Sequence, residues 1–411
     1  MAAAIPARAV VCLGLTQLVS WGISFYLISN FGPAMQGELG WSGAQIYAGF
    51  SLAIVVMAFA SPAAGRAIDR WGGQRVMPAG AVLLAIGCAL LAAAHAPIPY
   101  YAAWIVLGLG MRLTLYDAAF ATLARIGGPQ ARRAMSQITL FGGLASTVMW
   151  PTGQLLAQWL GWRGAVLAYA GFALLTLPLY LTLPRARYAS GAHQAAHRPG
   201  LARTPADQKL AQGLYALIAM LTNFLAAANA THLIAMLTGL GLAASAAVGI
   251  SALWGIGQVG ARLLELLFGA RLHPLTLNLA TTVAMPLCFL AGALAEYPVA
   301  AALYAGLYGA CNGLLTITRG TLPLALFDYR VYGALVGRLL VPGFLLTAVA
   351  PVAYAELIDW QGPRAAMLTS MCLAAVILWA SAWLYWRFRP AAPGHADAIA
   401  SPATGPSEDG P

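Results

Sequence analysis

Gly65-Arg66-Ala67-Ile68-Asp69-Arg70-Trp71-Gly72-Gly73-Gln74-Arg75 lies between two long apolar runs, roughly residues 42–64 and 76–95. A helix needs about 20 apolar residues to cross a bilayer, and both runs reach that length. A short basic turn joining two such helices is held on the cytoplasmic side by the positive-inside bias. The stretch therefore predicts a transmembrane hairpin, and the rest of the chain can be read outward from it.

Of the 411 residues, 61% are hydrophobic and 8% are charged. A soluble domain carries about 25% charged residues, so the excess apolar surface here must face lipid. Met1 to Arg8 precedes an apolar run too long for a signal peptide and without a small-residue cleavage site, so the first helix is expected to stay in place. Apolar runs predict spans at roughly 9–30, 42–64, 76–95, 99–124, 135–158, 163–183, 209–236, 243–268, 274–295, 298–326, 332–357 and 364–388. The expected fold is an all-α membrane protein with twelve transmembrane helices.

The basic residues fall on alternate connections. Arg66, Arg70, Arg75, Arg125, Arg132, Arg133, Arg185, Arg187, Arg198, Arg203, Lys209, Arg271, Arg330, Arg338, Arg387 and Arg389 mark one side, with Arg163 and Arg364 as exceptions on the other. Both termini are thus expected in the cytoplasm, with the chain in the inner membrane. The formal net charge of +10 reads as this topology signal and not as a nucleic-acid-binding patch.

A polar segment at 184–208 divides the chain into an N-terminal half, 1–183, and a C-terminal half, 209–388. Residues 389–411, rich in Ala, Pro, Gly and Ser, read as a disordered cytoplasmic tail. The five cysteines lie on five different spans and predict neither a disulfide framework nor a metal site. The six histidines are dispersed, and no nucleophile–base set lies at membrane depth, so an enzyme is not expected. No cofactor is implied.

Ionisable groups within a span cost about 2.5–3.5 kcal/mol each on insertion scales, so each is a functional candidate. Arg112 sits about 20 Å along the fourth span, near mid-membrane. Asp117 follows five residues later, one and a half turns on, which on a continuous helix points the two to different partners. Arg262 and Glu265 in the eighth span are three residues apart on one face, where they can neutralise each other. Arg319 lies in the tenth span, and overlaying the two halves puts it near the counterpart of Asp117. A salt bridge across the halves, broken and remade during transport, would fit that position. For Arg112 and Arg262 two readings stay open: anion binding, or a structural or gating pair. Gln17, Ser20, Asn30, Asn223, Asn229 and His232 are polar positions on the first and seventh spans that could line a cavity, and Trp21 and Tyr26 are candidate substrate contacts.

The spacing G-x-x-x-D-R-x-G-G-x-R in Gly65 to Arg75 resembles the signature between the second and third helices of the major facilitator superfamily of secondary transporters. The resemblance implies two pseudo-symmetric six-helix halves with a substrate site at the membrane midplane between them, working by alternating access, normally as a monomer. It implies a conformational gate at Gly65, Asp69, Arg70 and Arg75, in which the acid pairs with basic residues and with the end of the eleventh helix. Arg338 is the candidate basic partner. Arg112 resembles the fourth-helix arginine of proton-coupled drug exporters, although Tyr116 stands where their motif has Gly.

Within the superfamily, Ser20-Trp21-Gly22, Leu39-Gly40-Trp41-Ser42, and Arg132-Arg133-Ala134-Met135 followed by Phe141-Gly142-Gly143 are similar to elements of monocarboxylate transporters. In their eighth helix an acid precedes a substrate-binding arginine by four residues. Arg262 matches the arginine, and Gln258 replaces the acid. The resemblance implies a small organic anion as substrate and a proton as coupling ion, carried by Asp117 or Glu265. Efflux of drug-like compounds is the second expectation, and a transporter-like sensor the third.

Overall fold

The computed structural model describes residues 5–185, 187–188, 200–269 and 272–389. Arg198, Arg271, residues 186 and 189–199 of the 184–208 linker, including His193, His197 and Pro199, and the tail from Pro390 lie outside them. The described residues form fifteen α-helices and no strand. In chain order these are α1 (Ala7–Ser20), α2 (Leu27–Leu39), α3 (Gly43–Trp71), α4 (Gly73–Ala93), α5 (Pro97–Thr114), α6 (Tyr116–Gly127), α7 (Arg132–Gly143), α8 (Ala145–Leu175), α9 (Leu177–Leu181), α10 (Pro205–Gly239), α11 (Ala244–Phe268), α12 (Pro274–Ala293), α13 (Pro298–Leu326), α14 (Tyr332–Leu339) and α15 (Val341–Phe388).

Nine continuous helical runs among the described residues are long and apolar enough to span a membrane. Two of them are too long for one crossing. Pro97–Leu181 has 85 residues, about 130 Å of helix at 1.5 Å per residue. It is interrupted at Gly128 (φ 52°) and again at Gly161 (φ 68°, ψ 171°), leaving three membrane-length pieces. Tyr329–Phe388 reverses at Gly362 (φ 83°, ψ 167°), leaving two. The count is then the expected twelve. Glycine is needed at these reversals because the left-handed backbone there is disfavoured for other residues.

The halves repeat each other at these reversals. Gly161-Trp162-Arg163 and Gly362-Pro363-Arg364 occupy corresponding turns, and each arginine binds an acid near the end of a neighbouring helix. Arg163 pairs with Glu38 at 2.6 Å and donates to the Ala92 carbonyl, while Arg364 pairs with Glu296. The two exceptions to the basic-residue pattern are therefore neutralised by acids on their own side, so they do not oppose the topology.

One local expectation needs correcting. Residues 65–71 are not a turn: α3 continues to Trp71, and the chain reverses at the single residue Gly72 (φ 83°). Asp69 thus rides on the last turn of a rigid helix. The first span also departs from regular helix, passing through a π-helical turn at Trp21–Phe25 between α1 and α2. Such bulges re-aim side chains and are frequent at functional sites.

Arg387 pairs with Asp207 at 2.6 Å, so the end of α15 and the start of α10 lie together. We call this the linker end of the bundle. Glycines set the closest helix approaches. On α13, a Cβ at Gly313 would sit 2.6 Å from the Gln258 carbonyl of α11, and Gly309 meets the Trp254 carbonyl. These small residues let α11 and α13 pack backbone to backbone, which is how helices associate where lipid supplies no hydrophobic drive.

Candidate substrate site and gate

The centre of the bundle holds a three-residue charge network. Arg112 Nη1 lies 3.5 Å from Asp117 Oδ2, and Arg319 Nη2 lies 3.7 Å from Asp117 Oδ1. Arg112 and Asp117 were expected to face different partners, and they do not. The cause is a break in the fourth span: Leu115 is extended (φ −75°, ψ −175°), separating α5 from α6 and turning Asp117 back toward Arg112. The break strands the Thr114 carbonyl, and the fully buried Gln17 side chain satisfies it at 2.8 Å. Gln17, read as a cavity-lining residue, is therefore a structural cap on another helix.

Two further donors of the network are used as well. Arg112 Nε donates to Ser61 Oγ at 2.9 Å, and its guanidinium lies over the Phe344 ring. Arg319 Nη1 donates to Asn223 Oδ1 at 3.0 Å, while Arg319 Nε is buried without a partner. The Arg319–Asp117 pair joins the two halves. Two guanidiniums thus share one carboxylate.

Arg262 and Glu265 do not neutralise each other; each reaches across to α7 in the other half. Arg262 Nη1 donates to the Thr139 carbonyl at 3.1 Å, and Nη2 to Thr316 Oγ1 of α13 at 3.4 Å. Among the described residues no carboxylate pairs with Arg262. Glu265 instead meets Arg132 at 3.4 Å, and Arg132 also donates to the Gly269 and Leu272 carbonyls. His273, just outside the membrane helices, has its pKa lowered by burial and by Arg132, which keeps a further cation out of this corner.

Gly142 and Gly143 explain the glycine pair on α7. A Cβ on Gly143 would collide with the Arg262 guanidinium, and one on Gly142 with the Tyr116 hydroxyl. The Tyr116 hydroxyl donates to the Thr139 carbonyl at 3.1 Å. Trp21 packs its ring 4.9 Å from Tyr116 and 4.8 Å from Phe25, and Tyr26 stands edge-on to Trp150. The Trp21 indole Nε1 is buried without a hydrogen-bond partner, an unmet donor in an aromatic wall. Gln258 is half-buried on α11 one turn before Arg262.

At the linker end α3 and α14 touch backbone to backbone. A Cβ on Gly333 would sit 2.6 Å from the Gly65 carbonyl, and one on Gly337 2.5 Å from the Ser61 carbonyl. Asp69 accepts from the backbone N–H of Gly333 at 2.9 Å and of Ala334 at 2.7 Å. It occupies the N-terminus of α14, where unpaired N–H groups and the helix dipole favour an anion. Arg338 is not its partner: it lies exposed on α14, one turn further on. Arg125 is the basic residue beside this contact, donating to the Asp69 backbone carbonyl at 3.2 Å. Arg70 is exposed over the Trp71 ring, and Arg75 is exposed on the first turn of α4.

Among the described residues, every polar contact joining the halves lies at the centre or toward the linker end. At the far end, Glu38, Arg163, Glu296 and Arg364 bind only within their own halves. The residues that sequence reasoning missed are acceptors for these arginines. Ser61, Thr139 and Thr316 carry no signal of their own, and only the Gly142-Gly143 pair marks the seat of Arg262. Asn229, another lining candidate, is held by Tyr304, and His232 bonds the Pro351 carbonyl at 2.7 Å. Cys288 and Cys311, read as unpaired residues on separate spans, have their sulfurs 4.0 Å apart.

The family model for the Major Facilitator Superfamily matches residues 13–327. The chain belongs to that superfamily and is a multi-pass membrane protein. It is 36% identical over 109 residues to the multidrug resistance protein MdtL of Klebsiella pneumoniae, covering 26% of this chain and 27% of that one. It is 30% identical over 165 residues to monocarboxylate transporter 11 of Mus musculus, covering 38% and 36%. The chain thus spans about a third or less of these curated relatives. In fold it is similar to the human organic anion transporter MFSD10 (TETRAN), with a TM-score of 0.70 at 17% identity over 92% of this chain and 100% of that one.

Proposed function

We propose that this transporter carries a small organic anion through the cavity between its halves, with Asp117 as the proton-coupling group. The observation that carries the reading is the charge balance at the buried centre. Arg112 and Arg319 share Asp117, and Arg262 has no carboxylate partner among the described residues, because Glu265 is engaged by Arg132. Surplus cations at membrane depth are costly unless an anion joins them. A substrate carboxylate at Arg319 or Arg262 offsets that cost and gains the unmet Trp21 and Arg319 donors. Protonation of Asp117 releases Arg319 and so loosens a contact between the halves.

The arrangement fits an outward-facing state of the cycle: the linker end faces the cytoplasm of the inner membrane and is closed by Asp69 on α14, while the ion pairs at the far end stay within their own halves. The two halves, 1–183 and 209–388, rock about the central site, and a monomer suffices. The names of the two curated relatives divide between drugs and monocarboxylates, and the surplus of arginines favours the anion. The aromatic wall of Trp21, Phe25, Tyr26 and Trp150 supports the second reading, efflux of lipophilic compounds.

The test is ligand-induced thermal stabilisation of wild type and Arg262→Gln, screened separately with small carboxylates and lipophilic cations. A ligand at 100 times its Kd stabilises by about 2.7 kcal/mol. Carboxylates are expected to shift the wild type and not the variant. A shift by lipophilic cations alone, equal in both proteins, refutes the anion reading.

A further inference from the structure

Outside the gate, on its exposed surface, Arg66 and Arg70 from the end of α3, Arg330 from the turn before α14, and Arg187 from the connecting segment line one open groove. The four guanidiniums come from both halves and from the chain that joins them. Arg187 Nη2 donates to the Arg330 carbonyl at 2.9 Å, which fixes the connecting segment against the C-terminal half. Two carboxylates stand close by. Asp69 spends both oxygens on the α14 backbone, and Asp328 accepts from the Arg330 N–H at 2.9 Å. Four cations against two acids leave a local surplus of about two charges. Arg125 stands behind the groove on the Asp69 carbonyl and adds to that surplus.

The rim is not purely polar. Trp71 is 53% exposed and Val331 51% exposed beside these arginines. Small residues, Ala67 and Ala334, lie between them. A tryptophan at the end of a transmembrane helix marks the headgroup level of the bilayer. Guanidinium groups match phosphate oxygens in a fork geometry that a lone ammonium does not reproduce.

We propose that this groove binds a pair of phosphate charges, carried by a lipid headgroup or by a soluble phosphate compound, and that binding holds the linker end closed. The site is complete only while α3 and α14 are in contact, since Arg66 and Arg70 move with one half and Arg330 with the other. A ligand that engages all four binds the closed state more tightly and shifts the population toward it. This is independent of the substrate reading, because no residue of the groove belongs to the central charge network.

The experiment measures thermal stability and hydrogen exchange of residues 329–337 in neutral detergent. The probes are cardiolipin, phosphatidylglycerol, phosphatidylcholine and inorganic diphosphate, each added separately. The proteins are wild type, the double variant Arg66→Gln/Arg330→Gln and the control Lys209→Gln, at an exposed position outside the groove. Cardiolipin or diphosphate is expected to stabilise wild type and Lys209→Gln and to slow exchange at 329–337. The double variant should need roughly 30-fold more of either, from about fivefold per arginine near a charged surface. Response to cardiolipin alone identifies a lipid as the source, and equal response to diphosphate identifies a soluble phosphate. If the double variant does not fold, Arg187→Gln carries the same comparison with about a fivefold loss. Equal stabilisation by phosphatidylcholine, or an unchanged response in the variants, overturns the proposal.

Discussion

Replacing Asp117 with Asn removes a carboxylate shared by two guanidiniums, and its cost can be worked from the geometry. At an effective dielectric of about 20, a charge pair 3.5 Å apart attracts by about 5 kcal/mol, and one at 3.7 Å by nearly as much. Desolvation cancels much of this gross attraction in the folded protein. What is lost on removing one partner is dominated by the cations left behind, and such losses run to about 3–5 kcal/mol for a buried pair. Asp117 is 8% exposed and Arg112 3% exposed, so the stranded Arg112 cannot turn to water. Arg319 is less enclosed, at 17%, and keeps Asn223. The expected order is therefore asymmetric. Asp117→Asn should cost about 3–5 kcal/mol, while Arg319→Gln should cost about 1–2 kcal/mol because it leaves Arg112 and Asp117 balanced. Combining the two should recover part of the Asp117→Asn loss. The assay is thermal unfolding of the three variants in detergent, read by tryptophan fluorescence, with their stability changes compared in a double-mutant cycle. If Arg319→Gln costs as much as Asp117→Asn, or if the double variant is the least stable of all, the shared-carboxylate reasoning is wrong.

Gly143→Ala places a methyl group where the Arg262 guanidinium lies, so it should mimic Arg262→Gln in carboxylate-induced stabilisation while keeping the arginine. A normal carboxylate response in Gly143→Ala would mean that the seat on α7 is irrelevant to binding. Gly65→Val forces α3 away from α14 and should raise the reactivity of cysteines engineered along their contact by roughly tenfold, the factor that about 1.4 kcal/mol of lost closure gives. Ala79→Val, on an exposed position of α4, should leave that reactivity unchanged, and an equal rise in both variants would remove Gly65 from the contact. Asp69→Asn should weaken the closed linker end by about 1 kcal/mol, the worth of a charge at a helix N-terminus, and Arg338→Gln should leave it unchanged. Hydrogen exchange at Gly333 and Ala334 separates the two, and equal protection in both variants would remove Asp69 from the gate.

Much of the architecture was legible because the signals that specify it are local. Membrane crossing depends on the apolarity of about 20 consecutive residues, and the sidedness of loops on the charges next to them. Both are read along the chain without knowing what packs on what. The Gly65–Arg75 signature belongs to the same class, because a close helix approach, a reversal at Gly72 and an acid on the last turn of α3 are each encoded within a few residues. The presence of costly charges at Arg112, Asp117, Arg262, Glu265 and Arg319 was equally plain in the sequence.

Their partners were decided only by the folded bundle. The meeting of Arg112 with Asp117 requires an extended residue at Leu115, and no proline or glycine there announces it. That break is stabilised by Gln17, nearly a hundred residues away, whose amide replaces a missing helical donor. Arg262 and Glu265 share a face of α11 as their spacing dictates, yet each finds a better acceptor or donor on α7 across the interface. Asp69 prefers the N–H groups that begin α14 over any side-chain cation, because those donors are fixed in place and otherwise unpaired. Sequence determines which groups must be satisfied inside the membrane, since the cost of burying them is intrinsic to each side chain. Tertiary structure determines which group satisfies which, since that depends on distances between segments far apart in the chain.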